Sequence, residues 1–109
     1  FRNVNSAGAA RGGAQNQSGI DFPMIRLAEV MLTYAEAVVR GGSGDRNLAL
    51  QYVNQIRARA FAGAAGSAIT ASQLTTDFLL AERGRELFWE GYRRTDLIRY
   101  GRFVQDTYL

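Results

Sequence analysis

The sequence has 109 residues, of which 47% are hydrophobic, and carries a formal net charge of +3. This is enough chain and apolar surface for one folded domain with a modest core. The sequence lacks His and Cys, which excludes disulfides and thiolate chemistry and removes the usual general base and the commonest metal ligand, so we predict no metal and no cofactor. All 13 basic residues are Arg, which favours fixed, planar ion pairs over a diffuse cationic surface and argues against nucleic acid as a partner.

Residues 1–20 are predicted to form a loop or flexible segment, and residues 21–109 a helical domain. The first stretch is rich in Gly, Ala, Ser, Asn and Gln, shows no periodicity and contains Gly12–Gly13. The alternative is a ligand-binding loop, because Asn and Arg side chains suit hydroxyl-rich ligands. Its candidate contact residues are Arg2, Asn3 and Asn5.

The first helix is predicted to start at Asp21–Phe22–Pro23 and to end at Arg40. A hydrogen-bond acceptor near the N-cap followed by Pro marks the start, and Gly41–Gly42 marks the stop. Its polar residues fill an arc of only about 80°, and they are Arg26, Glu29, Thr33, Glu36 and Arg40. We therefore expect this helix to be buried on most of its surface, with Arg26 paired to Glu29 and Glu36 paired to Arg40.

The second helix is predicted at Arg46–Ala60, after a turn at Ser43–Gly44–Asp45. Its apolar residues span about 140° of the helix surface, as in a plain amphipathic helix. The short loop before it predicts an antiparallel hairpin with the first helix. The pair spans the tetratricopeptide period of about 34 residues but lacks that repeat's Trp-Leu-Gly pattern, so it is tetratricopeptide-like in shape only.

A long third helix is predicted near Leu74–Glu90, with Ser72 or Thr75 as its cap. Its apolar residues, Trp89 among them, fill an arc of about 200°, which predicts packing on two sides. The remaining edge carries Glu82, Glu86 and Glu90 at i, i+4 spacings, an arrangement that needs nearby cations. A short fourth helix is predicted at residues 95–102.

The last third of the chain reads E-R-x-x-E-L-x-x-E-G-x-R-x-x-D-L-x-R-x-G from Glu82 to Gly101. This pattern resembles the C-terminal signature of the SusD/RagB family. Two earlier stretches resemble further family motifs in the same order. Residues 25–37 resemble I-R-x-A-E-x-x-L-x-x-A-E-A, and residues 54–60 resemble N-x-x-R-x-R-A.

The resemblance implies a glycan-binding lipoprotein of Bacteroidota, exposed on the cell outer membrane. Its partners would be an oligosaccharide or polysaccharide and a SusC-like TonB-dependent transporter. Family members are several hundred residues long, so the chain is expected to be the C-terminal portion of a larger α-α superhelical domain. It would meet the membrane only through a lipid anchor upstream, would act mainly as scaffold, and would expose apolar surface where its partner helices lie. The alternative is a tetratricopeptide-like protein–protein interaction module.

The three Glu residues are poor candidates for glycosidase catalysis. Catalytic carboxylates flank a sugar about 5 to 10 Å apart across a cleft, whereas side chains four apart on one helix point the same way. We therefore predict no enzyme activity and no catalytic residue. Instead we predict a structural ion-pair network made of Arg26, Glu29, Glu36, Arg57, Glu82, Arg83, Glu86, Glu90, Arg93, Asp96 and Arg99. Within it, Asp96 is expected to bridge Arg93 and Arg99, with a phosphate or carboxylate site as the alternative.

The aromatic residues at helical spacing are interpreted first as core. They are Trp89, Tyr92, Tyr100, Tyr34 and Tyr52. The alternative is a stacking platform for sugar rings, and for that role Tyr92 is kept as a candidate contact beside Arg2, Asn3 and Asn5.

Overall fold

The computed structural model describes residues 23–104, and within that range the chain forms four helices and no strand. In chain order they are α1 (Leu27–Val39), α2 (Arg46–Ala60), α3 (Thr76–Glu86) and α4 (Arg93–Arg99). The predicted all-α class is confirmed. The predicted loop at residues 1–20, with the candidate contacts Arg2, Asn3 and Asn5, lies outside the described residues.

The helix α1 is central, because it packs against both α2 and α3, while α4 packs against α3. The side chains of Leu32 in α1 and Val53 in α2 are completely buried. Leu74, two residues before α3, and Leu79 within α3 complete the same core. Burying each large apolar side chain is worth about 1.5–3 kcal/mol, so this shared core is the main force holding the three helices together.

The helices α1 and α2 form an antiparallel hairpin. Beside the connecting turn, the rings of Tyr34 in α1 and Tyr52 in α2 meet edge to face, with centroids 5.5 Å apart. At the opposite end, Ala28 of α1 and Ile56 of α2 line the same depression. The predicted hairpin is therefore present, while its tetratricopeptide-like character stays a prediction.

The turn before α2 shows why that helix starts as predicted. Asp45 caps it, since its Oδ1 accepts a hydrogen bond of 2.7 Å from the backbone N–H of Asn47. Gly44 leaves room for α1, because a Cβ there would lie 2.5 Å from Val38 Cγ2. Both ends of α2 match the prediction.

The start of α1 differs from the prediction. Residues 23–26 are not helical, and Arg26 is the N-cap with an extended backbone (φ −138°, ψ 158°) and no side-chain capping bond. Asp21 and Phe22, assigned to the helix start, lie outside the described residues. The physical reason is tertiary: the Arg26 side chain is committed to acceptors on α3, 60 positions further along the chain.

The end of α3 also differs from the prediction. The helix stops at Glu86, and the chain then turns through Trp89 (φ 64°) and Gly91 (φ 82°). Arg26 donates a hydrogen bond to the Glu86 carbonyl. A cation there satisfies a free carbonyl and interacts favourably with the helix dipole. Glu90 therefore lies beyond the helix on which it was predicted.

The other boundaries involve smaller changes. Thr75 caps α3, because its hydroxyl accepts a hydrogen bond of 3.2 Å from the backbone N–H of Phe78. The helix α4 begins two residues and ends three residues earlier than predicted. Across residues 23–104, no helix has the length and apolar character needed to cross a membrane.

The segment between α2 and α3 is held against the polar side of α2. The Asn54 amide donates to the Ile69 carbonyl at 3.1 Å and accepts from the Ile69 N–H at 2.8 Å. Arg57 donates to the Ser67 carbonyl, and Arg46 to the Leu74 carbonyl at 2.9 Å. This face of α2 therefore binds main chain, which positions the entry to α3.

Candidate functional site

Charged side chains from all four helices meet around α3. The first group, the Arg26 cluster, consists of Arg26, Arg59, Glu86 and Glu90. Arg26 donates to Glu86 Oε1 at 2.6 Å and to Glu90 Oε2 at 2.7 Å. Arg59 of α2 donates to the same Glu86 oxygen. Because the Glu86 side chain is only 6% exposed, these two cations compensate a charge that is largely removed from water.

The carboxylates of this cluster also shift the pKa of the Arg26 guanidinium. The hydrogen bond to Glu90 raises it most, burial opposes that rise, and the bond to Glu86 raises it further. The net result is a pKa above the usual value, so the ion pair favours the charged form that Arg already holds. The cluster therefore ties the start of α1 to the end of α3.

The second group, the Glu82 cluster, lies one turn earlier on α3. The Glu82 side chain is 4% exposed, and its Oε2 accepts from Arg57 of α2 at 3.0 Å. The same oxygen accepts from Arg85, three residues along the helix. Arg57 also lies over the rings of Phe61 and Phe78, 5.0 and 5.6 Å from their centroids. This cluster joins α2 to α3 at the margin of the core.

The third group, the Arg83 cluster, is the most deeply buried. The Arg83 side chain is 2% exposed and donates to Asp96 Oδ2 of α4 at 2.9 Å and to Thr33 Oγ1 of α1 at 3.1 Å. Glu29 lies 3.7 Å away and accepts from Thr33 at 3.0 Å. Arg99 donates to the other oxygen of Asp96 at 2.8 Å. A single guanidinium thus connects α1, α3 and α4.

The pairings inside these clusters differ from those predicted along single helices. Asp96 bridges Arg83 and Arg99, while Arg93, its predicted partner, donates to the Leu80 carbonyl at 3.0 Å. Arg26 pairs with α3 and not with Glu29. The local i, i+4 pair of Glu36 and Arg40 does form, at 2.8 Å. The predicted residues are brought together, mostly by contacts between helices.

Glu36 and Tyr100 meet where α1 faces the end of α4. Glu36 is 3% exposed, and its Oε1 accepts from Arg40 and Arg99. Burial raises the pKa of the Glu36 carboxyl, but the hydrogen bonds led by Arg99 outweigh burial, so the pKa lies below its usual value. The Glu36 bond in turn raises the pKa of Arg99, against the opposing effect of burial.

Two buried oxygens lie at this contact between Glu36 and Tyr100 without a hydrogen-bond partner among the described residues. Glu36 Oε2 and the Tyr100 hydroxyl make no hydrogen bond with acceptable geometry within residues 23–104. Burial, followed by the negative charge of Glu36, raises the pKa of Tyr100 to about 12. The tyrosine therefore stays neutral beside the carboxylate well above neutral pH.

The carboxylates are not arranged as a hydrolytic pair. Glu82 and Glu86 leave the same helix, and each is occupied by Arg side chains from α2 or from the start of α1. A glycosidase needs two carboxyl groups on opposite sides of the sugar. The described residues also contain no group of three or more acidic, His or Cys side chains placed to hold a metal ion.

An open cleft of about 820 Å³ lies where α3 turns into α4. Its walls come from the end of α3, the following turn and the start of α4; they comprise Ala81, Gly84, Arg85, Leu87, Phe88, Trp89, Gly91, Arg93 and Arg94. Phe88 and Trp89 are 72% and 88% exposed, with ring centroids 6.0 Å apart. The prediction that Trp89 belongs to the core was wrong, because the helix ends before it and the left-handed turn directs it outward.

The predicted contact Tyr92 is partly buried beside this turn. Its hydroxyl donates to the Met24 carbonyl at 2.6 Å, and its ring lies 5.9 Å from the Arg83 guanidinium. Tyr34, Tyr52 and Tyr100 are likewise partly buried. Among the predicted aromatic candidates, Trp89 is the residue whose ring is largely exposed to solvent.

Two features escaped the sequence interpretation. Arg59 was not assigned to the network, although it is the second Arg of the N-x-x-R-x-R-A motif and shares Glu86 with Arg26. The cleft was also missed, since a helix extended through residue 90 leaves no turn at Trp89. The Gly at position 91 was the available signal, because a turn that passes through a left-handed conformation favours Gly.

Comparison with known proteins adds a family assignment to this geometry. A family model described as the SusD family matches residues 1–109. The starch-binding protein SusD of Bacteroides thetaiotaomicron is 40% identical to the chain over 89 residues. That alignment covers 82% of this chain, which spans only 14% of the length of the relative.

Proposed function

The chain belongs to the SusD family, and from that premise we propose that it is part of a non-catalytic glycan-binding protein of an outer-membrane polysaccharide uptake system. In this proposal the protein acts with a SusC-like TonB-dependent transporter and is held at the cell surface by a lipid anchor upstream of this segment. We further propose that residues 21–109 belong to a C-terminal helical domain, with residues 1–20 as a separate segment before it. The four helices serve mainly as scaffold.

The observation that supports the scaffold role is that the buried carboxylates are already paired with Arg side chains. Glu82, Glu86 and Asp96 are each nearly or fully buried and each accepts from two Arg side chains. Such groups are committed to joining helices and are not available to bind sugar hydroxyls. The name of the starch-binding relative supports a glycan as the ligand of the whole protein.

Affinity electrophoresis tests this proposal. The chain, and a longer protein that contains it, are run through native gels with and without a panel of polysaccharides, beside a non-binding reference protein. We expect strong retardation of the longer protein and little retardation of this chain. Equal retardation of both would contradict the scaffold role, and no retardation of either by any glycan would contradict glycan binding.

A second function, protein–protein interaction, is favoured by one observation. Met24, Ile25, Leu27 and Val30 form an apolar stretch at the start of α1, and each is at least half exposed. Contiguous exposed apolar surface often marks a protein interface. If the gels show no glycan binding, this stripe, which we call the α1 apolar stripe, is the surface to test.

A further inference from the structure

The cleft between α3 and α4 has a chemical character that the scaffold role does not explain. Its volume falls within the range of about 300–1,000 Å³ typical of small-molecule sites. Its charged wall residues are all Arg: Arg85, Arg93 and Arg94. No acidic side chain lines it among the described residues, so its electrostatic preference is for an anion.

The three cations differ in availability. Arg85 is engaged with Glu82, and Arg93 donates to the Leu80 carbonyl. Arg94 is exposed and lies over the Phe103 ring, 5.2 Å from its centroid, without a carboxylate within 4 Å in residues 23–104. Its planar guanidinium has donors to offer a carboxylate in the bidentate geometry that Arg favours.

The aromatic wall supplies the second recognition element. Trp89 holds a left-handed backbone (φ 64°) that a bulky L-residue rarely adopts, and it presents 88% of its surface to solvent. Strained residues of this kind cluster at ligand sites, where the surrounding structure maintains them. An open indole face is suited to stacking against the C–H face of a pyranose ring.

We propose that this cleft binds an acidic sugar, with a pyranose face stacked on Trp89 and the carboxylate of a uronic acid bound by Arg94. The inference rests on the proposed glycan-binding function and deepens it by naming a charged substrate class. It also assigns direct sugar contact to one local site in an otherwise structural segment. An acidic sugar would contact both the Arg94 guanidinium and the Trp89 ring. A neutral glycan would leave the guanidinium without a counter-charge, and a simple anion would leave the ring without a stacking partner.

Trp89 is the single Trp of the sequence, so its fluorescence reports on the cleft directly. The chain is titrated with maltooligosaccharides and with the same oligosaccharides oxidised at C6 to uronic acids, a pair that differs only in the carboxylate. We expect a saturable blue shift with the oxidised series and affinity at least about tenfold weaker for the neutral series. The preference should shrink in high salt, because exposed charges are screened.

Matched variants identify the groups responsible. Arg94→Gln should abolish the preference for the oxidised series, whereas Arg102→Gln should retain it, since Arg102 pairs with Asp77 and does not line the cleft. Trp89→Ala should lose retardation in gels containing the oxidised polymer. Unchanged far-ultraviolet circular dichroism in all three variants shows that the helices are intact.

Three outcomes would overturn the inference. These are equal response to both series, an Arg94→Gln variant that keeps the preference, or a longer protein in which Trp89 is shielded from soluble quenchers before any sugar is added. The last result would mean that another part of the polypeptide covers the cleft. If neutral glycans retard the longer protein while Trp89 never responds, the cleft proposal fails and the proposed function stands.

Discussion

Trp89 and Ala62 both have a left-handed backbone, with φ of 64° and 50°, within the part of the chain that the structure describes. Their side chains are exposed, so little packing compensates the steric cost of about 1–2 kcal/mol for an L-residue in this region. At both positions the fold determines the backbone conformation, and the residue adopts it at some cost in stability.

Replacing Trp89 by Gly should therefore stabilise the chain, by up to about 1 kcal/mol, because Gly adopts positive φ without strain. Trp89→Ala is the matched control, since it removes the same ring but keeps the Cβ. Urea unfolding followed by circular dichroism measures the difference. If the Ala variant is as stable as the Gly variant, the strain at this position is negligible.

Tyr100 leads to a pH prediction. Its pKa is raised from 10.0 in the unfolded chain to about 12 by burial and by Glu36. The stability that it contributes is therefore complete below pH 10 and is lost as pH rises through 12, by at most about 2 kcal/mol because solvent screens this partly buried side chain. With no Lys or Cys in the chain and Arg still charged, tyrosines are the side chains that titrate in this window.

The measurement is the free energy of unfolding between pH 9 and 12. We expect Tyr100→Phe to flatten the decline, while Tyr52→Phe, at another partly buried tyrosine, leaves it in place. An unchanged slope in Tyr100→Phe would mean that another group controls the alkaline transition.

The helices are joined less by local pairs than by side chains that reach from one helix to another. Arg26 precedes α1 yet binds two carboxylates and a carbonyl at the end of α3. Arg83 leaves α3 and reaches both α1 and α4. The relative placement of the helices therefore depends on a few partly or fully buried guanidinium groups.

Arg26→Gln should lower the free energy of unfolding by about 2 kcal/mol, because it leaves the poorly exposed Glu86 and Glu90 without their shared cation. Arg59→Gln is the control: it removes a cation from the same Glu86, but the Arg59 side chain is 63% exposed. Its cost should stay below about 1 kcal/mol. Thermal and urea unfolding of the two variants test the order, and equal costs would contradict it.

Features set by residues close together in the sequence could be predicted, whereas features set by contacts between distant residues could not. Both ends of α2 were predicted because a periodic apolar face and the Asp45 cap are local signals. The start of α1 and the end of α3 were not, since both depend on Arg26 meeting Glu86 across 60 positions. The network residues could be named from their spacing, but the partner of Asp96 depends on how α3 packs against α4.

The whole molecule leaves apolar side chains uncovered on two surfaces, the α1 apolar stripe and the Phe88–Trp89 turn. The helix α1 has few polar residues, and helices of that composition are normally buried all round. Here it packs against α2 and α3, and its stripe faces solvent. This agrees with the expectation that the helices belong to a larger assembly, which stays a prediction.

The isolated chain is therefore expected to self-associate through the α1 apolar stripe. Sedimentation velocity over a range of concentrations should show species larger than the monomer. Replacing Leu27 and Val30 by Gln should shift the distribution toward monomer, whereas Val104→Gln, at a separate and even more exposed position, should not. A sharp, concentration-independent unfolding transition of a monomer would contradict the expectation.

The bond between Tyr92 and Met24 has a mechanical consequence. These residues lie 68 positions apart, and Arg26 pairs with Glu90 across 64 positions. The two contacts close a loop that contains α1, α2 and α3, so tension applied at Met24 and Tyr92 reaches these contacts before it reaches the three helices, while α4 lies outside the loop. Until these contacts break, α1, α2 and α3 are shielded from such tension, and the loop would extend only after they break.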